Sequence, residues 1–253
     1  MRLVTWNLNG LDDCSLDERT EAAVFISILG ARLDQLHAGT RASAPADVIV
    51  LQEVVTRTLL AHLKPHLSAG GYIVIPDVAP DRQTFEVIAY REPITLRAYQ
   101  SEPLVDSIYA RVLHIADFDH PDGAVRVLTA HFDSGTDAAK VRGAQLCQVG
   151  ERIGVSGIFA GDANLRKAEW LSVRDKLPMA DVWESLGEPS ATRYTWRQLV
   201  NGEDYKARFD RVFLGPGLVA SSISALGAEP LPVLGVSISD HLGLAVEFGS
   251  VRA

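Results

Sequence analysis

The sequence predicts an α/β protein whose layered sheet core carries its chemistry along one rim, and three observations predict it. Apolar runs of strand length alternate with stretches of helical period. Several runs are apolar on both faces, as strands covered from both sides are. Most of these runs end in a polar or ionisable side chain. A chain of 253 residues with 47% hydrophobic content suits one large core, so residues 1–253 are expected to form a single domain.

Residues 2–8 open the chain as a strand in which Leu3, Thr5 and Asn7 alternate with Val4, Trp6 and Leu8, leaving Asn7 near the C-terminal end. Ser15-Leu16-Asp17-Glu18 is a capping box, and Ala22, Ile26, Leu29, Leu33 and Leu36 recur at helical spacing before Gly39. After a loop at 41–46, residues 47–53 read as a second buried strand, ending in Gln52 and Glu53. A helix over 57–67 should end at Pro65 and the Gly70-Gly71 pair. His62 and His66 share one of its faces, but no Glu follows His62, so a zinc-protease motif is not supported and both are expected as surface histidines.

From 72 to 132 the chain reads as a meander of strands at 72–75, 85–90, 94–99, 108–115 and 125–131, the last ending in His131. A helix over 138–153 leads into Ile158-Phe159-Ala160-Gly161-Asp162-Ala163-Asn164. Gly161 permits a turn or a close backbone approach, and Asp162 and Asn164 face the same way in extended chain. One side chain can take a proton from water, and the other can donate an amide N–H to an oxyanion. An isolated Asp-x-Asn is ordinarily an Asx turn closing a strand, so its reading depends on the other strand ends.

A short helix over 169–176 precedes an aromatic stretch with Trp183, Tyr194 and Trp196. Residues 207–214 read as an alternating strand, with Phe209, Arg211 and Phe213 on one side and Arg208, Asp210 and Val212 on the other. A strand over 223–226 follows, and Ser239-Asp240-His241 precedes the last strand.

A net charge of −8 argues against coating duplex DNA non-specifically, which needs many phosphate-facing cations. Cys14 and Cys147 are only two and lack Cys-x-x-Cys spacing, so neither a disulfide framework nor a thiolate zinc site is supported. No window approaches the ~20 apolar residues of a membrane span, so an intracellular protein without a membrane partner is expected.

Asn7, Glu53, His131, Asp162, Asn164, Asp240 and His241 each border an apolar run. Singly, each is an ordinary strand cap, edge histidine or turn residue; repeated across several strands, they point to convergence on one rim. Glu53 with Asn7, and Asp240 near them, offers hard oxygen ligands suited to Mg²⁺, with Mn²⁺ equally accommodated. Asp162 is placed to orient or deprotonate water, while Asn164, His131 and His241 can stabilise charge on phosphoryl oxygens. His241 needs a partner to fix its tautomer, and Asp240 points the other way in extended chain, so Asp210 is assigned that role.

Thr5-Trp6-Asn7, Leu51-Gln52-Glu53-Val54, Gly161-Asp162-Ala163-Asn164 and Ser239-Asp240-His241 resemble, in order, the motifs of the endonuclease/exonuclease/phosphatase superfamily. The resemblance implies a four-layered α/β/β/α sandwich with two packed mixed sheets, and a Mg²⁺-dependent phosphohydrolase. Asn164-Leu165-Arg166, Tyr194-Thr195-Trp196 and Arg208-Phe209-Asp210-Arg211 are similar to the branch that hydrolyses the bond between a protein tyrosine and a DNA 5′-phosphate in DNA repair.

By that resemblance Arg166 stabilises the tyrosyl side, and Trp196 and Phe209 line a groove for the DNA end. The implied partner is a single-stranded 5′ terminus carrying a tyrosyl adduct, bound by a monomer. Local cations, Arg193 and Arg208 among them, would contact phosphates. The branch's additional ubiquitin-binding segment has no room here, so the catalytic domain alone is expected.

The sequence departs from the branch at Asp133 where Glu is usual, Asn9 where Asp is common, Lys167 in place of an acidic residue and Leu242 at an often aromatic position. These leave the chemistry intact and bear on substrate preference. Two other readings compete: the same chemistry on abasic-site DNA, RNA or a small phosphoester, and a non-catalytic binder on the same fold. Retention of Glu53, Asp162, Asn164, Asp210 and His241 together argues against the binder, and magnesium-dependent turnover discriminates.

Overall fold

A computed structural model describes residues 1–10, 16–29, 45–231 and 235–251. The first half of the chain contains β1 (Arg2–Asn7), α1 (Leu16–Leu29), β2 (Val48–Val54), α2 (residues 56–69), β3 (Tyr72–Ile75), β4 (Phe85–Arg91), β5 (Thr95–Pro103), β6 (Val112–His120) and β7 (Gly123–Thr129). Then follow α3 (Ala139–Ile153), β8 (Gly157–Asp162), α4 (Lys167–Val173), β9 (Ala180–Asp181) and α5 (Val182–Ser185). The last strands are β10 (Trp196–Val200), β11 (Glu203–Ala207), β12 (Asp210–Leu214), β13 (Leu218–Leu226) and β14 (Gly243–Ser250).

Two six-stranded mixed sheets form, ordered β13-β14-β1-β2-β4-β3 and β5-β6-β7-β8-β12-β9, with β10-β11 as a separate hairpin. Side-chain alternation explains how they stack. Leu3, Val48, Val50 and Ile88 of the first sheet meet Phe118, Val127, Ile158, Ala160 and Val212 of the second in one apolar layer. The opposite faces are covered by helices. Val4, Trp6, Ile49 and Leu51 pack under α1 and α2 through Val24, Leu59, Leu63 and Leu67, while Leu128, Phe159 and Phe213 pack under α3 and α4 through Leu146, Val149 and Trp170. The result is the expected α/β/β/α sandwich. Among the described residues, no helix is long and apolar enough to cross a membrane.

The strands expected over 108–115 and 223–226 run instead over Val112–His120 and Leu218–Leu226, and three further expectations change. The predicted meander splits: β3 and β4 join the first sheet and β5, β6 and β7 the second, because the chain crosses between sheets at the turn before Thr95. Helix α2 runs through Pro65 to Ala69. Residues Leu59–Leu63 form a π-helical turn, and Pro65 then falls in the first turn of the α-helical segment Lys64–Ala69, where a missing N–H costs little. The strand expected over 207–214 begins only at Asp210, since Thr195 Oγ1 accepts the N–H groups of both Phe209 (3.1 Å) and Asp210 (3.0 Å) and halts the alternation there. Ser15 of the capping box, the heptad-like positions Leu33 and Leu36, and Cys14 lie outside the described residues.

Candidate active site

The site lies where the apolar layer between the sheets gives out. On β1 the inward face reads Leu3, Thr5, Asn7; on β8 it reads Ile158, Ala160, Asp162; on β12, read backwards, Leu214, Val212, Asp210. The alternation that buries apolar side chains along each strand therefore delivers a polar one to a common mouth at its end. Gln52 closes the layer beneath, its amide donating to Thr5 Oγ1 (3.2 Å) on the same sheet and Thr129 Oγ1 (3.1 Å) on the other. Asp210 is paired with Asp162 across the β12–β8 ladder, and His131 bridges to Asp162 from the segment after β7. Gly161 meets its expected requirement: a Cβ there would lie 2.3 Å from the Ala130 carbonyl oxygen.

Asp162 is held from several sides. Asn7 Nδ2 donates to Asp162 Oδ2 (2.9 Å) and to Glu53 Oε1 (3.3 Å), and the Asn164 backbone N–H donates to Asp162 Oδ1 (2.9 Å). The Asn164 amide donates to the Phe132 carbonyl (3.1 Å). His131 Nε2 lies 3.3 Å and His241 Nε2 3.8 Å from Asp162 Oδ2. The second nitrogen of His241, Nδ1, sits 2.8 Å from Asp210 Oδ2.

The two imidazoles carry different charges. Burial alone would neutralise His241, but Asp210, Asp162 and Asp240 together outweigh it and push its pKa up to about 10. At His131 burial wins, supported by the positive charges of Arg111 and His241 against Asp162, and its pKa falls to about 4. At neutral pH one buried imidazolium and one neutral imidazole therefore flank the same carboxylate.

Burial and the Asp162 charge raise the Glu53 pKa, against the hydrogen bond from Asn7. Glu53 sits at φ +54°, which turns its carboxylate out of the strand alternation, and Gly10 packs on its backbone so closely that a Cβ would fall 2.0 Å from the Glu53 carbonyl oxygen.

The donor set fits a hard divalent cation. Glu53 and Asp162 crowd negative charge around one Asn7 amide, and Glu53 opens to the cleft. His131 Nδ1, 3.7 Å from Glu53 Oε1, is buried without a hydrogen-bond partner among the described residues. Asp162, Asp210 and His241 also bring their polar atoms within 4.8 Å of one another. Without an ion, that trio is two carboxylates around an imidazolium whose charge Asp210 sustains.

A cleft of about 740 Å³ opens over these groups. One wall is a continuous stack: the Arg166 guanidinium lies 5.6 Å over the Phe209 ring, Phe209 lies 5.2 Å from Trp196, and Trp196 Nε1 donates to Asp240 Oδ2 (3.0 Å). Arg166 also donates to the Asn164 carbonyl (3.2 Å). Asp240 thus reaches the cleft as part of this wall.

Arg208 and Arg193 are not brought to the cleft lining, which corrects their expected phosphate contacts. The Arg208 guanidinium pairs with buried Asp181 (2.9 Å), shared with Arg211 (2.8 Å), and stacks 4.2 Å over Trp183. Arg193 lies exposed over Tyr194. Phe209 does not share a side with Arg211 and Phe213, because the strand alternation stops before it.

The sequence reading missed Arg111, which lines the same cleft with a buried Nε that has no hydrogen-bond partner among the described residues. It missed the β10–β11 hairpin too, although Asn201-Gly202, both at positive φ, is a strong two-residue hairpin signal. Asp133, one of the departures, is structural: it accepts from the Ile108 N–H (2.8 Å) and the Gln145 amide (2.5 Å).

A carboxylate aimed at a cleft, a fixed imidazolium beside it and hard oxygen donors at its edge define a hydrolytic site for phosphate esters. The comparisons agree with that class. The chain belongs to the endonuclease/exonuclease/phosphatase family, whose profile matches residues 4–241.

It is 28% identical to tyrosyl-DNA phosphodiesterase 2 of Xenopus laevis over 97% of this chain and 65% of that protein, and 30% identical to that of Bos taurus over 95% and 65%. The chain thus spans just under two thirds of the length of these relatives. Among solved structures it resembles D. rerio TDP2 complexed with a single-strand DNA product, with a TM-score of 0.82, 27% identity and 98% of both chains covered. The family is metal-dependent, and Asp162, Asp210 and His241 form an acidic and histidine group that could hold an ion.

Proposed function

We propose that the protein is a Mg²⁺-dependent phosphodiesterase that releases tyrosine adducts from single-stranded 5′ ends of DNA. The observation that carries this reading is the juxtaposition of Asp162 and its two unlike imidazoles with the Arg166-Phe209-Trp196 wall on one cleft. The naming of the relatives as tyrosyl-DNA phosphodiesterases and the DNA product in the D. rerio structure support the substrate class.

Asp162 takes the proton of an attacking water, its carboxylate oriented by the Asn7 amide and the Asn164 N–H. The new P–O bond forms to the water oxygen, the bond to the tyrosine oxygen breaks, and the products are a DNA 5′-phosphate and a tyrosine phenolate that is then protonated. His241, kept cationic by Asp210, neutralises charge gathering on the phosphoryl oxygens. Neutral His131 can donate from Nε2 to Asp162, which keeps that carboxylate in place without adding charge. Glu53, with Asp240 on the lining of the same cleft, would hold Mg²⁺, which when bound offsets phosphoryl charge, while the Asn7 amide N–H groups orient the Glu53 and Asp162 carboxylates. On the wall, bases can stack on Trp196 and Phe209 while Arg166 faces the leaving phenol.

The test compares matched 5′-tyrosyl, 3′-tyrosyl and abasic-site oligonucleotides with and without Mg²⁺. The expected result is metal-dependent release from the 5′-tyrosyl substrate at the highest kcat/KM. Faster turnover of the abasic or 3′ substrate would move the assignment to another activity of the family.

A further inference from the structure

Outside the lining of the cleft, the outer helical layer gathers a second constellation. Asp17 and Glu21 are one helical turn apart on α1, and His62 and His66 one turn apart on α2. His62 Nδ1 lies 3.0 Å and His66 Nε2 3.8 Å from Glu21 Oε1, and the ligand atoms of the three residues all fall within 4.8 Å of one another. In a tetrahedral zinc site with bonds of about 2.0–2.1 Å, donor atoms stand roughly 3.3 Å apart, so small side-chain movements suffice to close this set on an ion.

The other two ring nitrogens are already occupied. His66 Nδ1 is 2.8 Å from the His62 carbonyl oxygen, which can only accept, so Nδ1 carries the hydrogen and Nε2, on the Glu21 side, is the ring nitrogen left to bind an ion. His62 Nε2 lies 3.4 Å from Asp17 Oδ1 and can donate to it when Nδ1 serves as ligand. Each imidazole thus has a backbone or carboxylate acceptor on its far nitrogen, the arrangement that fixes tautomer and ring orientation in metal sites. The π-helical turn Leu59–Leu63, which contains His62, is the kind of irregularity that often marks a functional position in a helix.

We propose that Glu21, His62 and His66 bind a divalent transition ion of the zinc type, oriented by Asp17 and the His62 carbonyl, independently of the cation at the cleft. Two imidazoles and one carboxylate favour Zn²⁺ over Mg²⁺, and three protein ligands leave one position for water. The ion would tie α1 to α2, the helix that begins two residues after β2 delivers Glu53 to the cleft. Its role is a clamp on the outer layer, so turnover should not depend on it.

The test titrates Zn²⁺ into the whole protein by calorimetry with Mg²⁺ in large excess, and follows Tm. One equivalent should bind in the wild type and in Glu53→Gln, and Tm should rise by roughly 5–10 °C at about a hundred times the Kd. His66→Ala and His62→Ala should each lose that equivalent and the Tm rise. His66 is about half exposed, so its replacement leaves the fold intact, as far-ultraviolet circular dichroism would verify. Absence of binding in the wild type, or equal binding in the wild type and both histidine variants, overturns the proposal. Loss of binding in Glu53→Gln alone places the ion at the cleft and overturns it as well.

Discussion

His241 Nδ1 lies 2.8 Å from Asp210 Oδ2, whereas the adjacent Asp240 turns its carboxylate to the Trp196 indole. The imidazole is therefore charged by a residue 31 positions away in sequence, on the strand that pairs with the strand of Asp162. This pairing makes His241 a standing cation at the cleft, beside the Asp162 carboxylate.

Asp210→Asn removes the charge that holds His241 protonated, so the imidazole pKa should fall from about 10 towards its ordinary value of 6.5. Because the folded-state value is raised, the pair's stabilisation is complete below about pH 6.5 and fades as pH rises through about 10. The stability gap between wild type and Asp210→Asn should narrow across that window. A nuclear magnetic resonance titration of His241 in metal-free protein gives the pKa directly. In a double-mutant cycle, losses of activity from Asp210→Asn and His241→Ala should be strongly non-additive; additive losses would show that the two act independently.

For Asp162→Asn the expected outcome is a fall in single-turnover rate of ~10²–10⁴-fold with substrate affinity nearly unchanged, because proton acceptance matters in the transition state. Rapid-quench measurements at saturating enzyme separate the two quantities. A fall below about tenfold would make Asp162 a structural cap and require another base.

Glu53→Gln should act in opposite directions on stability and metal binding. The raised Glu53 pKa means that burial and Asp162 disfavour its charge in the folded state, a cost borne above that pKa and relieved as pH falls through it. Removing the charge should thus raise the Tm of metal-free protein at neutral pH while weakening Mg²⁺ binding. Calorimetric titration and a thermal melt on the same sample check both; an unchanged Mg²⁺ titration would remove Glu53 from the metal site.

Trp196→Ala should raise KM for oligonucleotides by the equivalent of ~1–3 kcal/mol and hardly affect a nucleotide-free phosphodiester, since stacking contributes only where a base is present. Arg166→Lys should slow release of tyrosine more than release of nitrophenol, because Lys lacks the planar face that stacks on Phe209 and on a leaving ring. Steady-state kinetics on paired substrates decide. Equal losses on both substrates would assign these side chains to the fold or the common phosphate site.

Much of the site was legible in the sequence because strand periodicity converts position into direction. Once residues 2–8, 47–53 and 158–162 read as covered strands, Asn7, Glu53 and Asp162 had to lie at strand ends, and the Asp240-His241 step excluded a pairing between neighbours. The ordered motifs added the family and its four layers. What failed was local: Phe209 and Arg208 were placed by an alternation that the Thr195 hydroxyl interrupts, and a hydroxyl 14 residues upstream leaves no mark on the pattern around Asp210.

The tertiary structure decided charge and company. Sequence determined that His131 and His241 are imidazoles beside apolar runs; packing made one neutral and the other a cation, since each value balances burial against charges that arrive from other strands. It likewise drew Arg208 to Asp181 and away from the cleft, and brought His62 and His66 against Glu21 across two helices. Side-chain direction follows from a short-range period that the chain carries in itself, whereas protonation and partnership depend on distances of a few ångströms between segments far apart in sequence, which exist only once the sheets have closed on each other.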